Sequence, residues 1–323
     1  MSLIGKILTR EEFVKEPPVL MDIGASGAIH KYWSKIAKYS VCIAFDADDR
    51  DFRTKEENNG VYKKLFVYNR LVTDRNAESN EFYLTKSPHC SSLLPPHRKS
   101  LENWAFSHKF EVEKKVQLKS VGLPTVLKEL NITRIDWYKS DSQGIDLKLF
   151  RSLDQTLRDR IIIAEFEPGI LDAYQGEDKL HHILSFMDKH NNFWLSQLEL
   201  KGTQRIQHRH LKKILGNDLL TEVSPFINKI APGWGEMVFI NTFENNNASK
   251  RDLLLGWVLA TLQRQHGFAY QLALGGIQKF NDPFFNELSS HSAMKIRMGM
   301  ISLKYLPLIF RKSSKILKRM KSA

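Results

Sequence analysis

Asp22-Ile23-Gly24-Ala25-Ser26-Gly27 sets an acid two residues before the first of two glycines three apart. A second acid, Asp46, follows Gly24 by 22 residues. A glycine turn lets backbone approach a ligand that any Cβ would hold off. An acid about 20 residues further on, at the tip of the next strand, can accept hydrogen bonds from ribose hydroxyls. The chemistry implied is the binding of a nucleoside-bearing ligand. Ser26 stands where G-x-G-x-x-G needs its second glycine, and Asp22 adds negative charge beside the turn. That charge repels a pyrophosphate and disfavours a nicotinamide-dependent oxidoreductase. It attracts a cation with a free amino group, and S-adenosyl-L-methionine, a sulfonium with an amino-acid end, fits. On this reading Asp22, Gly24, Ala25, Gly27, Asp46 and Ala47 bound the cofactor.

These residues need a scaffold of alternating strands and helices. Val19–Ile23 is an apolar run bounded by glycine, which reads as a buried strand. Residues 28–38 have helical spacing, with Ile29, Trp33, Ile36 and Ala37 on one side. Ser40–Phe45 is the second strand and Val61–Val72 the third. Residues 86–108, with Pro88, Pro95, Pro96 and three histidines, read as a long loop or lid. Strands are expected at 112–121, 135–140, 160–165, 193–200 and 236–242, and helices at 125–130, 145–157, 178–189 and 207–215. Beyond Asn245 the pattern is helical, with breaks at Gly275-Gly276 and Pro283. Such alternation argues a mostly parallel sheet covered on both faces. In such sheets the ligand lies beyond the carboxyl ends of the strands, and Asp22, Asp46, Asp48, Asp74, Asp141, Glu165 and Glu167 gather at that rim. The division expected is a binding domain over 1–245 and a helical extension over 246–323.

Composition narrows the class. The chain of 323 residues is 42% apolar and 11% aromatic, enough for a sizeable core. Cys42 and Cys90 give no disulfide framework, which is compatible with a reducing compartment. Residues 1–16 lack the apolar segment of a signal peptide, and Leu253–Leu262 is far shorter than a membrane span. A cytoplasmic location is expected. The net charge is +12, yet nine of the basic residues and no acid lie in 294–323, leaving 39 basic against 36 acidic residues elsewhere. That tail interleaves its cations with Met298, Ile301, Leu306, Ile309 and Phe310. Such a segment can lie on an anionic membrane surface at the inner face of a membrane; the alternative is a terminal helix packed on the body. This much aliphatic content argues against a nucleic-acid arm.

Six pieces occur in order: Asp22–Gly27, Phe45-Asp46, Cys90-Ser-Ser-Leu-Leu94, Ile135–Gly144, Ile163-Ala-Glu-Phe-Glu167 and Tyr174-Gln-Gly176. Together they resemble the FkbM-type family of S-adenosylmethionine-dependent methyltransferases over about residues 17 to 200. The strongest element is Lys139–Gly144, similar to that family's K-I-D-x-[EQ]-G signature. Ser140, the short acid Asp46, Asp146 and the Leu118–Leu123 stretch depart from the family pattern. The resemblance implies a Rossmann-like class I methyltransferase fold, an α/β three-layer sandwich with a mostly parallel sheet and, here, a C-terminal helical extension. It also implies methyl transfer to a hydroxyl oxygen, often of a sugar or glycoconjugate that can be lipid-linked.

Alignment of acceptor oxygen, methyl and sulfur can supply several kcal/mol of the acceleration, and a neutral hydroxyl must lose its proton as the bond forms. Asp141, next to the expected methyl position, is the first candidate base; it could instead cap the helix near Ile145 or ligate a divalent metal with Glu165. His89, in the segment after strand three, is a second candidate base; His97 and His108 share that segment. Ser92, with Ser91, and Asp74 are further candidate cofactor contacts. His208-Arg209-His210 reads as a solvated helix start. Trp104 could stack on a sugar or adenine, whereas Trp137 reads as core. A non-catalytic, membrane-peripheral binding protein on the same fold is the alternative, against which the intact Gly24, Gly27, Asp46 and Asp141 speak.

Overall fold

The computed structural model describes residues 2–25, 30–48, 50, 60–190, 192–244 and 248–300. Residues 26–29, which include Gly27, residues 51–59 and the tail from 301 to 323 lie outside the described residues. The chain forms two compact units, one of Glu11–Asn245 and one joining residues 1–10 to 246–323.

The larger unit holds a seven-stranded, mainly parallel sheet. In chain order its strands are β1 (Val19–Ile23), β2 (Val41–Phe45), β3 (Lys64–Tyr68), β7 (Trp137–Ser140), β8 (Ile163–Phe166), β9 (Phe193–Thr203) and β10 (Ala231–Asn241). Their spatial order is β3-β2-β1-β7-β8-β10-β9. The first five are parallel, and β10 runs antiparallel to both β8 and β9. A second sheet of three strands, in the order β4-β6-β5, is built from β4 (Leu71–Thr73), β5 (Ala77–Thr85) and β6 (Val112–Gly122). β1 is buried at all five positions, as a central strand with both faces covered must be. The core behind it includes Met21, Ile43, Phe45, Ile135, Tyr138, Phe150 and Phe166.

The helices of the larger unit are α2 (Glu11–Lys15), α3 (Arg98–Leu101), α4 (Leu123–Glu129), α5 (Asp146–Ser152), α6 (Gln155–Arg160), α7 (Leu180–Lys189), α8 (His208–Leu215) and α9 (Asp218–Ile227). Several boundaries differ from the sequence expectations. The described part of the first connection is not an α-helix but two 3-10 turns, Lys31–Lys35 and Ala37–Tyr39. Trp33 and Ile36 are nevertheless fully buried, because an i, i+3 pair lies on one side of a three-residue turn as well. The expected third strand divides into β3 and β4, which belong to different sheets. The expected 145–157 helix divides: α5 ends at Ser152, and Asp154 caps α6, its side chain accepting the Leu157 N–H at 2.8 Å.

In the smaller unit α1 (Leu3–Leu8) accompanies α10 (Lys250–Leu262), α11 (His266–Phe280) and a helical stretch over 284–300. Ser249 and Asp252 form a capping box at the start of α10. Gly275-Gly276 does not break α11. Gly276 instead admits the Phe285 ring, whose Cδ1 would lie 2.3 Å from a Cβ there. None of the described helices is long and apolar enough to cross a membrane.

Candidate active site

The turn after β1 is locked to the neighbouring strand ends. The Gly24 and Ala25 amides both donate to the Phe45 carbonyl, at 2.9 and 3.0 Å. The Asp141 amide donates to the Ile23 carbonyl at 2.9 Å. Gly24 has φ +81°, and a Cβ on it would sit 2.0 Å from the Asp141 carbonyl oxygen. Only glycine fits, so the turn after β1 and the loop after β7 meet backbone to backbone.

Behind this turn a row of charges crosses the sheet. The parallel register sets Asp22 beside Lys139 and Lys139 beside Glu165. Lys139 Nζ donates to Asp22 Oδ1 at 2.7 Å, and the His30 amide donates to Asp22 Oδ2 at 3.0 Å. His30 Nε2 lies 3.4 Å from Glu165 Oε2. Burial opposes the Lys139 charge, but Asp22, Asp141 and Glu165 outweigh it and hold the ammonium well above its ordinary value. Burial pushes the Glu165 carboxyl up to about 8, against the pull of Lys139. Asp22 is fully buried. The expectation of an uncompensated negative charge beside the turn is therefore corrected: Lys139 balances Asp22, and the pair anchors the turn from below.

The loop after β7 is held by Asp146. Its Oδ1 accepts from Ser140 Oγ at 2.6 Å and from the Ser142 amide at 2.8 Å, and its Oδ2 accepts from the Glu167 amide at 3.1 Å. One buried carboxylate thus ties the ends of β7 and β8 to the start of α5. Gln143, at φ +57°, donates from Nε2 to Asp141 Oδ1 at 2.5 Å. Tyr174 Oη donates to Gln143 Oε1 at 2.9 Å, and Ser92 Oγ donates to the Gln143 carbonyl at 2.7 Å. Burial pushes the Asp141 carboxyl up to about 6, although Lys139 and Gln143 favour its charged form. Asp141 does not act as a cap for α5, since Ile145 takes that position without a side-chain cap.

Two cavities flank Asp141. A narrow crevice at the ends of β1 and β2 is lined by Gly24, Asp46, Ala47, Asp48, Leu71, Phe82, Ser91 and Ile145, among others. A chamber of about 530 Å³ lies on the other side, lined by aromatic residues Phe106, Phe110, Tyr174 and Trp234 and by polar Glu167, His108, His208 and Glu222. His89, Asp141 and Gln143 line both. Such an arrangement brings a group held in the crevice next to one held in the chamber, with a carboxylate at the junction.

The other expected residues divide. In the crevice, Asp46 Oδ1 accepts the Asp48 amide at 2.9 Å. Burial would raise Asp48, but the Arg50 guanidinium, 2.6 Å away, and Ser91 hold it below the usual range. Ala25 is buried beneath the turn, and Ser92 acts through Gln143 and through the Leu94 amide, at 3.0 Å, so neither lines the crevice. Asp74 follows β4, in the other sheet, and pairs with Lys148 at 3.2 Å away from the crevice. Glu165 faces His30 and lines neither cavity, which parts it from Asp141 as a shared ligand. Among the described residues no group of three or more His, Cys, Asp or Glu is arranged to hold a metal ion.

The chamber is where sequence reading missed most. The 86–110 segment is not an open loop. It carries short helical turns at Pro88–Cys90 and Ser107–Phe110, and the His97 and Gln175 amides bond it to the 173–175 stretch through the Ala173 and Pro95 carbonyls at 2.8 and 3.0 Å. His208, expected in solvent, packs against His108 with ring centroids 3.8 Å apart and planes tilted by 32°, and both Nδ1 atoms face the Ala105 carbonyl, at 3.0 and 3.2 Å. Burial, then the neighbouring His208, lowers the His108 pKa. Phe106 meets Trp234 edge-on at 5.9 Å, and Phe110 meets Tyr174 at 5.5 Å. Trp104 packs beside Phe106 instead of facing the chamber, and Trp137 is core, as its strand position implies. No local sequence signal marks these aromatics and His208 as partners, since they come from separate segments around 106, 174, 208 and 234.

No curated protein and no solved structure matches the chain. A family model described as Methyltransferase FkbM domain matches residues 32–194, half of the chain. The matched span takes in Asp46 and Asp48 of the crevice, Asp141 and Gln143 at its junction with the chamber, and Ser92, Lys139 and Tyr174, which bond to that junction or to Asp22; Gly24 lies before the span. The chain belongs to the FkbM methyltransferase family.

Proposed function

We propose that the protein uses S-adenosyl-L-methionine to methylate a hydroxyl of a sugar or glycoconjugate acceptor. The observation that carries this reading is the position of Asp141, on the wall common to crevice and chamber. The strand order, five parallel strands extended by antiparallel β10 and β9, supports a Rossmann-like class I methyltransferase sheet.

The crevice fits the donor on two counts. Its floor at Gly24 has no room for a Cβ, so backbone forms the surface. Asp46, at the tip of β2, is set to take ribose hydroxyls, and Phe82, Leu71 and Ile145 offer apolar walls for a purine. When bound, the donor supplies a methyl group on a sulfonium. Asp141 then accepts the acceptor's hydroxyl proton on the chamber side. Gln143, fixed by Tyr174 and Ser92, holds that carboxylate in one orientation. A preset base shortens the search for the reactive geometry. Phe106, Phe110 and Trp234 give flat apolar surfaces against which a sugar ring can pack, with polar groups between them.

Calorimetric titration with S-adenosylhomocysteine and with NAD tests the donor, and transfer of labelled methyl to a panel of glycosides tests the acceptor. Binding of S-adenosylhomocysteine alone, with base-stable label in the glycosides, is expected. Binding of NAD instead, or of neither, overturns the reading. Asp141→Asn should abolish turnover and spare donor affinity.

A further inference from the structure

Helix α9 is inside out. Its small polar residues Thr221 and Ser224 are buried, at 5% and 3% exposure. Ser224 Oγ donates to Gln204 Oε1 at 2.7 Å on that inner side. Three of its apolar residues face outward instead: Leu219 is 70% exposed, Leu220 47% and Ile227 77%, with Val223 half-buried between them. Positions 219, 220, 223 and 227 share one face of a helix, so these side chains form a stripe and not scattered points. Ile214, near the end of α8, adds a further apolar side chain at 70% exposure. A water-facing helix normally shows the opposite pattern, and a contiguous apolar face marks a contact surface.

The charge around the stripe says what it contacts. Arg205, Arg209, Lys212, Lys213 and Lys229 lie on or beside the two helices, and all five are exposed. The acids there are Asp218, which pairs with Lys212 at 2.8 Å, and Glu222, which pairs with Lys109 at 3.2 Å. An apolar stripe rimmed by cations complements an anionic bilayer: the side chains enter the acyl boundary while the cations meet headgroups.

We propose that the outer face of α8 and α9 seats the protein on an anionic membrane surface. The same two helices supply His208, Thr221 and Glu222 to the acceptor chamber. Docking therefore brings the chamber wall to the lipid surface, where an acceptor with a lipid anchor is met. The docking step stands apart from methyl transfer; only the naming of a lipid-anchored acceptor rests on the reading given above.

The test is co-sedimentation of the full-length chain with vesicles of phosphatidylcholine alone and of phosphatidylcholine with phosphatidylglycerol. Wild type should pellet with the anionic vesicles and stay in solution with the neutral ones. Leu219→Glu/Ile227→Glu should lower the partition coefficient by about tenfold or more, with near-UV circular dichroism and Tm unchanged. Should that variant unfold, Arg209→Glu/Lys213→Glu, which alters only exposed cations, decides by losing the preference for anionic vesicles. Equal pelleting of wild type and variants overturns the proposal, as does a wild type that stays in solution with both vesicles. A wild-type dimer in sedimentation velocity that the apolar variant dissolves also overturns it, because the stripe is then covered by a second copy. None of these readouts uses methyl transfer, so failure here and failure of the enzymatic reading are told apart.

Discussion

The Gln143 amide clamps the Asp141 carboxylate, its Nε2 donating to Oδ1 at 2.5 Å while its own Oε1 receives the Tyr174 hydroxyl at 2.9 Å. The clamp has a direction. A donor on a carboxylate favours its charged form, so Gln143 pulls the Asp141 pKa down while burial pushes it up, to about 6.

A base must be unprotonated to act, so kcat should rise with pH through about 6 and level off above it. Gln143→Ala removes a stabiliser of the charged form, and the half-point should move to higher pH. The plateau should also fall, by up to about a hundredfold, because the carboxylate loses its fixed orientation. A pH–rate profile of both forms checks this. An unmoved half-point in the variant would sink the assignment of Asp141 as the titrating base.

Gly24→Ala should be poorly tolerated. The added Cβ would meet the Asp141 carbonyl oxygen at 2.0 Å in a backbone held at φ +81°. The expected loss is about 3 kcal/mol or more of stability, together with donor binding, since the turn and the Asp141 loop must separate. Chemical denaturation and donor titration on the same preparation measure both. Near-native behaviour on both counts would remove the close approach from the argument.

Lys139→Met leaves Asp22 buried without its cation and should cost about 3–5 kcal/mol. Adding Asp22→Asn to it removes the stranded charge and should restore much of the loss. Denaturation of both single variants and the double variant gives the coupling. Additive losses would show that the 2.7 Å ion pair is not what holds the turn.

Trp234→Ala should raise KM for the acceptor by about three- to tenfold, the size of one aromatic packing contact, and leave donor affinity unchanged. The reason is placement: Trp234 lines the chamber and not the crevice. Steady-state kinetics with each substrate varied in turn will separate the two effects.

Much of the crevice beside Asp141 was legible from residue order. The Asp22–Gly27 motif, the spacing to Asp46 and the Lys139–Gly144 block are local patterns, and β1, β2 and β7 lie where their apolar runs said. Local pattern also explains two misses. An i, i+3 pair such as Trp33 and Ile36 cannot tell a 3-10 turn from an α-helix. The run 61–72 cannot show that its halves pair with different sheets.

By itself the sequence determined which residue types recur at strand ends, where glycine is required, and which family pattern the order follows. Only the tertiary structure decided what those residues do to one another. Asp22 and Lys139 are 117 positions apart, and their pairing follows from the register of β1 against β7. The same register turns an apparent lone acid into half of an ion pair. The chamber is assembled from the segments around 106, 174, 208 and 234. Its existence depends on how layers close over one another, and spacing along the chain carries no record of that closure.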